Sequence, residues 1–376
     1  MNILHIYKDY FPVLGGIENH VRVLAVAQAA VGHAVTVLVC NPGPRTQIVE
    51  LEGVRVIKAG RLTTAASMPI SFSQPWLAAR QRADVIHVHS PYPLGEVSGW
   101  LLGRGAGLII THHSDVVRQQ GWLRLYGPLL RLILRHADCI IATSPRYIET
   151  SPWLRPVAER CVVVPLGVDT TRFGPPAQPF VGPPTLLFAG KLRYYKGVDT
   201  LLRALPALPA VHLKLVGDGP MRQPWMALAQ ELGVAERVHF LGEVADDELP
   251  ACYHQAHVFV LPANARAEAF GTVLLEAMAS GLPCVTTEVG SGTSWVVQDG
   301  VTGRVVPAQD VAALTAALAE LLADPVRRQR MGQAGRARVL AEFDQTRMAA
   351  RVLEVYEAVR RSPRRRARIG ISGAIG

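Results

Sequence analysis

The stretch FGPPAQPFVGPPTLLFAGKLRYYKGVDTLL, residues 173–202, decides the fold. Its first twelve positions are dense in proline and glycine, the composition of a linker. A short, continuous apolar run, TLLFA, follows and stops at Gly190. Next comes a loop carrying Lys191, Arg193 and Lys196, and then Gly197 opens the helical spacing of Val198, Leu201 and Leu202. Buried strand, loop and helix in that order form the repeating unit of a parallel α/β sheet covered on both faces.

The same unit recurs on both sides of the linker. Before it, strands are expected over 2–6, 34–39, 54–58, 85–89, 108–112, 139–143 and 161–165, separated by segments of helical spacing such as Val21, Leu24, Ala25 and Gln28. After it, strands are expected over 185–189, 211–216, 238–241, 258–261, 284–287 and 304–306. Helices are expected there over 198–207, 222–232, 247–255, 272–279 and 310–322. No repeat of 20–50 residues emerges. The pattern predicts two facing, doubly wound α/β domains, residues 1–172 and 185–345, joined by 173–184. Ligands of such sheets bind beyond the carboxyl ends of the strands, which places the expected site in a cleft between the domains.

Composition narrows the function classes. With 49% hydrophobic residues in 376, the chain has apolar content for two cores and is not disordered. Cys40, Cys139, Cys161, Cys252 and Cys284 form no CxxC pair, which suits reduced thiols in a cytoplasmic protein rather than a disulfide scaffold. The opening MNILHIYKDYF lacks the features of a signal peptide, and no run of about 18 apolar residues is uninterrupted. A net charge of +9 suggests an acidic partner, but six arginines fall in 360–376, leaving +3 for residues 1–359. Nucleic acid is therefore not the expected partner. The predicted partner is a phosphorylated small molecule, with an anionic membrane as a further possibility.

Several loops carry the chemistry. Gly15 and Gly16 precede a helix, where glycine lets a backbone approach an anionic ligand; the spacing is not GxGxxG, and Gly190-Lys191 lacks the Ser or Thr of a P-loop. Lys191, Arg193 and Lys196, at the end of one strand, can neutralise a diphosphate without a metal. Well-made charge-assisted contacts contribute about 1.5–3 kcal/mol each. In RAEAFGTVLLEAMASG, residues 266–281, Glu268 lies just before a helix and Glu276 within it. Were both helical, they would stand about 12 Å apart along the axis. With Glu268 in the loop, both can border one ligand. Glu276 then accepts from vicinal hydroxyls, and the amides of Phe270, Gly271 and Thr272 face phosphate oxygens. His87 and His89 alternate on one strand, and His112 and His113 end the next. Metal ligation is one reading, but no nearby Cys, Asp or Glu completes a familiar spacing. The preferred reading gives one histidine a substrate hydroxyl and leaves the others structural.

In order, GGIENHV, THHSDVVRQ, VVPLGVDTTRF, GKLRYYKG, LVGDGP, Glu268-x7-Glu276 and DGVTGRVVP resemble the family 4 retaining glycosyltransferases, over about residues 2–358. The resemblance implies the two-Rossmann-domain (GT-B) architecture, with the helix over 346–360 returning to the first domain ahead of an Arg-rich tail, 361–376. It implies that Gly16 approaches the donor diphosphate and that Lys191 and Lys196 hold it, with Phe270, Gly271 and Thr272 alongside. Lys191 stands where arginine is commoner, so a bidentate contact becomes a point charge. His113 would contact the transferred sugar, Glu268 would face it, Glu276 would bind the ribose, and Asp115 would shape the acceptor side. The implied catalytic set is His113, Glu268 and Lys196, with no divalent metal and no protein nucleophile.

GKLRYYKG and EVGSGTSWVVQDGVTGRVVP look like the branch that uses GDP-mannose in polysaccharide and glycolipid assembly, with a UDP-sugar as the alternative donor. Loops 217–221 and 242–244 are expected around the base. The acceptor would be a saccharide or lipid-linked molecule. Competing readings are a nucleotide-sugar epimerase on the same fold and a non-catalytic nucleotide-sugar-binding subunit. Retention of both lysines, both glutamates and His113 speaks against lost chemistry. Segment 122–135 mixes Leu, Ile and Trp with Arg124, Arg131 and Arg135, as a helix on the acidic inner face of a membrane does; a buried helix with snorkelling arginines is the alternative.

Overall fold

The computed structural model describes residues 1–13, 15–65, 68–102, 105–116 and 120–361. The chain divides into two compact units: Met1–Leu166 together with the helix from Thr346, and Gly167–Gln345. The expected Arg-rich tail, from residue 362 on, lies outside the described residues.

The first unit is built on an eight-stranded sheet. Along the chain its strands are β1 (Asn2–Ile6), β2 (Ala34–Cys40), β3 (Gln47–Leu51) and β4 (Val54–Ala59). A separate small hairpin, β5 (Thr63–Ala65) and β6 (Met68–Ile70), comes next. Then follow β7 (Val85–Ser90), β8 (Gly107–His112), β9 (Cys139–Ala142) and β10 (Cys161–Val163). The spatial order is β10-β9-β8-β7-β1-β2-β4-β3. The chain runs outward from β1 through β2 and β4, then returns to the other side of β1 with β7. The switch point therefore lies between β1 and β7, where doubly wound sheets bind ligands. Every residue of β7 and β8 is buried, as two covered faces require.

Strand β3 departs from the expected pattern. It pairs antiparallel with β4 at the sheet edge and is largely exposed, so its sequence QIVEL carries no continuous apolar run. The two-residue turn that makes it, Glu52-Gly53, has φ of 53° and 76°, the left-handed conformation of a type I′ hairpin.

The second unit holds six parallel strands: β11 (Thr185–Ala189), β12 (His212–Val216), β13 (Val238–Gly242), β14 (Val258–Leu261), β15 (Cys284–Glu288) and β16 (Gly303–Pro307). Their order is β13-β12-β11-β14-β15-β16, so its switch point lies between β11 and β14. The helix Pro325–Glu342, absent from the sequence expectations, is rich in arginine and shows little apolar periodicity. Its start was nonetheless legible: Asp324 accepts from the Arg327 amide at 2.9 Å and Pro325 takes the first position.

The units divide at Gly167 rather than within 173–184. Apolar and backbone contacts explain the difference. The Val168 amide donates to the Phe343 carbonyl at 2.9 Å, and Phe173, 3% exposed, packs edge-on against Tyr253. The Pro-rich stretch is thus already tied to the second unit. The closing helix, Gln345–Arg361, buries Met348, Val352, Val355, Tyr356 and Val359, one stripe of a 3.6-residue period. Tyr356 lies 2.5 Å from His87 Nδ1, which ties that helix to β7.

One glycine fixes the second switch point. Gly197 has φ of 68°, and a Cβ there would lie 2.0 Å from the Pro262 carbonyl oxygen just beyond β14. Gly197→Ala is expected to destabilise the fold by more than about 1 kcal/mol, because alanine meets both strain and overlap. Urea denaturation measures it, and an unchanged midpoint would show that the β11 and β14 loops are not held this closely.

Candidate functional site

The site grows from the loops that leave β11 and β14 on either side of the second switch point. After β11 the chain exposes Lys191 and Arg193, then forms a single 3-10 turn, Tyr194–Lys196, which turns Lys196 inward. Asn264, beyond β14, clamps that turn. Its amide donates to the Tyr195 carbonyl at 2.9 Å and its side chain to the Tyr194 carbonyl at 3.1 Å. The loop after β15 braces the same region. Ser291 Oγ donates to the Glu268 carbonyl at 2.6 Å, and the Gly292 amide to the Ala269 carbonyl at 2.7 Å.

This framework brings Lys196 Nζ to 2.5 Å from Glu268 Oε2, with both side chains only 10% exposed. Burial works most strongly against the Lys196 charge, but Glu268, Tyr195 and Glu276 together outweigh it and hold the lysine above its usual pKa. Two residues singled out separately in the sequence, 72 positions apart, are thus one buried ion pair. Removing either partner would leave an uncompensated buried charge, the costly case.

Glu276 lies half-buried on the helix Thr272–Ala279 and accepts from the Tyr253 hydroxyl at 2.6 Å. Burial raises its pKa to about 7, against the pull of the Tyr253 hydrogen bond. Gly271 opens the helix with φ of 78°. The Phe270 ring is 3% exposed and packs beside Trp295 and Phe343, so this residue has its backbone, not its ring, to offer a ligand. Thr272 is half-buried as the first residue of the helix. Of the loops expected around a base, Gly217 packs against Gly190: a Cβ there would lie 2.2 Å from the Gly190 carbonyl oxygen.

In the first unit the switch point combines buried imidazoles with charged groups, among them the Lys8–Glu18 pair just beyond β1. Gly16 opens the helix Gly16–Ala30, and no atom lies within 4 Å of where its side chain would begin, whereas a Cβ on Gly15 would strike Glu18. His113 is 4% exposed; its Nε2 lies 3.0 Å from His89 Nδ1, and its Nδ1 is buried without a hydrogen-bond partner. Asp115 does not stand beside it as an isolated carboxylate. Its Oδ1 bonds to His112 Nε2 at 3.0 Å and accepts from Ser151 Oγ at 2.7 Å, which braces the loop after β8.

The sequence reading missed His5 and His20, which join His87, His89 and His113 in one buried cluster. The available signal was alternation: HIY on β1 lies beside HVH on β7, with His5 opposite His87. Two triads, His5 with His87 and His89, and His20 with His89 and His113, bring ligand nitrogens within 4.8 Å, the spacing of a metal site. Hydrogen bonding accounts for much of that closeness, with nitrogen pairs at 3.1 and 3.0 Å. Burial lowers the His5 pKa to about 4 and the His20 pKa to about 3. Burial first, and neighbouring histidines second, hold His87, His89 and His113 well below the usual range.

Comparison with known proteins places the chain. Residues 14–172 match the glycosyltransferase family 4 domain, and residues 173–338 match glycosyl transferases group 1. The chain is 35% identical to the D-rhamnosyltransferase WbpZ of Pseudomonas aeruginosa, over 90% of this chain and 91% of that one. It is 33% identical to the O-antigen chain mannosyltransferase C of Escherichia coli, over 95% and 98%. Among solved structures, sucrose-phosphate synthase of Thermosynechococcus elongatus aligns with a TM-score of 0.81 at 28% identity, over 95% and 98%. Two Rossmann-like units of this kind define a GT-B glycosyltransferase. Within that class the chain belongs to the family 4 glycosyltransferases. It is a retaining hexosyltransferase that draws on a nucleotide-sugar donor.

Five buried neutral histidines have a consequence for stability. Unfolded histidines take up protons near pH 6.5 that the folded ones refuse. The unfolded chain therefore binds more protons below that pH, and stability falls as pH falls. Each such histidine contributes a slope of about 1.4 kcal/mol per pH unit. For His5 the loss extends from pH 6.5 down to about 4. Denaturant titrations at stepped pH are expected to show a fall between pH 7 and 5; a flat profile would contradict a buried neutral cluster.

Proposed function

We propose that the chain transfers a mannosyl group from GDP-mannose to a saccharide or lipid-linked acceptor and needs no divalent ion to do so. The buried Lys196–Glu268 pair at the second switch point is the observation that carries this reading. Lys196 is a fixed cation where a diphosphate would lie, joined by Lys191 and by the amides of Phe270, Gly271 and Thr272. Glu268 faces the sugar, Glu276 accepts the ribose hydroxyls, and His113 takes one sugar hydroxyl. Asp115, by bracing the loop after β8, supports the acceptor side. The sugars named for the two relatives also favour this donor: D-rhamnose is 6-deoxy-mannose, so both share one ring configuration.

Chemically, the bond from C1 to the β-phosphate oxygen breaks as C1 joins the acceptor oxygen on the same face. The acceptor proton passes to the departing phosphate, and the lysines stabilise the charge that develops there.

Thermal shift tests the donor. GDP-mannose is expected to raise Tm more than UDP- or ADP-sugars at equal concentration, by mass action, with or without EDTA. A larger shift with a UDP-sugar, or transfer lost in EDTA, would overturn the proposal. Lys196→Ala and Glu268→Ala are each expected to lower transfer about a hundredfold or more, and unimpaired turnover in both would refute the site. Binding of donor should also weaken below about pH 7, where Glu276 gains its proton and loses an acceptor.

The acceptor side suggests a place of work at the inner face of an anionic membrane. Among the described residues no helix is long and apolar enough to cross a membrane. The helix Gln120–His136 instead exposes Leu125 (79%) and Leu132 (39%) beside exposed Arg124, Arg131 and Arg135. Vesicles containing phosphatidylglycerol should sediment the protein and neutral ones should not. Leu125→Glu should reduce the bound fraction; equal sedimentation with both lipids would end the idea.

A further inference from the structure

Three imidazoles of the first unit form one unbranched chain. His5 on β1 bonds through Nδ1 to His89 Nε2 on β7 at 3.1 Å, and His89 Nδ1 bonds to His113 Nε2, beyond β8, at 3.0 Å. At the inner end His5 Nε2 meets the Gln28 side-chain oxygen at 2.8 Å, and Gln28 turns its amide nitrogen to the Tyr356 hydroxyl at 3.2 Å. Gln28, His5 and His89 are fully buried. At the outer end His113 Nδ1 is buried with no partner.

Such a chain has a direction. A neutral imidazole carries one N–H, and an amide oxygen only accepts. Facing Gln28 Oε1, His5 must donate from Nε2, which leaves its Nδ1 bare to accept from His89 Nε2–H. His89 Nδ1 is then bare in turn and accepts from His113 Nε2–H. The last lone pair, on His113 Nδ1, has nothing left to accept from within the protein.

We propose that Gln28, acting through His5 and His89, fixes His113 as its Nε2–H tautomer, so that Nδ1 is a dedicated acceptor for one hydroxyl of the donor sugar. The hydroxyl part of this statement rests on the reading of His113 as the sugar contact; the tautomer part does not. Gln28 is a positioning residue, three hydrogen bonds from His113 and four from the sugar it serves. The arrangement also sets specificity, because a buried acceptor rejects a sugar that lacks the matching hydroxyl. Were Gln28 turned round, every bond in the chain would reverse and His113 Nδ1 would become a donor. His20, whose ring stands edge-on to both His89 and His113, fills the side of the chain without entering it.

Histidine tautomers are read directly by two-bond proton–nitrogen correlation spectra of the full chain labelled with 15N-histidine, with His113 assigned by comparison with His113→Asn. The expected result is a protonated Nε2 and an unprotonated Nδ1 on His113, with the Nδ1 resonance moving when GDP-mannose is added. A protonated Nδ1 overturns the proposal without any variant having to fold. Gln28→Leu is expected to mix the tautomers and lower kcat/KM for the donor about tenfold, and Gln28→Glu, which keeps an acceptor, to restore most of it. An unmixed tautomer and unchanged kcat/KM in Gln28→Leu would remove Gln28 from the chain. If His113 shows the expected tautomer but neither responds to donor nor lowers transfer when replaced by asparagine, the reading of His113 as the sugar contact fails and the fixed tautomer stands.

Discussion

A lysine and a glutamate held 2.5 Å apart at the switch point of the second sheet are the constraint around which this molecule is arranged. Taking two charges out of water costs several kcal/mol each before their attraction offsets it, so a buried ion pair is weak as a device for stability. Its persistence here points to use. The surrounding backbone supports the same conclusion: the left-handed Gly197, the clamp from Asn264 and the brace from Ser291 all hold the loops that present these two side chains. Close backbone approach and desolvation are concentrated at one place, and the sheet beneath supplies the rigidity that keeps them there.

The first unit repeats the topology with a buried imidazole cluster in place of the lysine–glutamate pair. Its switch point is lined by imidazoles that burial keeps neutral, linked nitrogen to nitrogen and anchored on an amide. Neutral, oriented hydrogen bonding suits a sugar ring, whose hydroxyls carry no charge. Fixed cations suit a diphosphate.

Much of this was legible in the sequence, for reasons that also explain what was not. Strands such as β11 and β14 are continuous apolar runs between turn residues, and their bounds were read as they stand. Strand β3 was not, because an exposed edge strand needs no such run. The helix Pro325–Glu342 hides its apolar side among arginines, and only its Asp-Pro start betrays it. The division at Gly167 was displaced in the reading because a proline-rich stretch signals stiffness, not freedom from contact, and Phe173 is buried. At the site, local patterns single out Lys196, Glu268 and Glu276, and the family resemblance singles out His113, but the Lys196–Glu268 pairing and the membership of His5 and His20 are long-range facts. They depend on which strands become neighbours, and no local spacing encodes that. The bonds of Asp115 to His112 and Ser151 are likewise beyond local patterns, because Ser151 lies 36 positions away.

The account stands on a division of labour within the ion pair: Lys196 for the diphosphate, Glu268 for the sugar. Calorimetric titration of GDP and of GDP-mannose into Lys196→Met and Glu268→Gln tests that division most directly. Lys196→Met is expected to weaken both ligands by about tenfold to a hundredfold, whereas Glu268→Gln weakens GDP-mannose without weakening GDP, whose diphosphate gains a Lys196 released from its partner. Undiminished GDP binding by Lys196→Met would contradict the account.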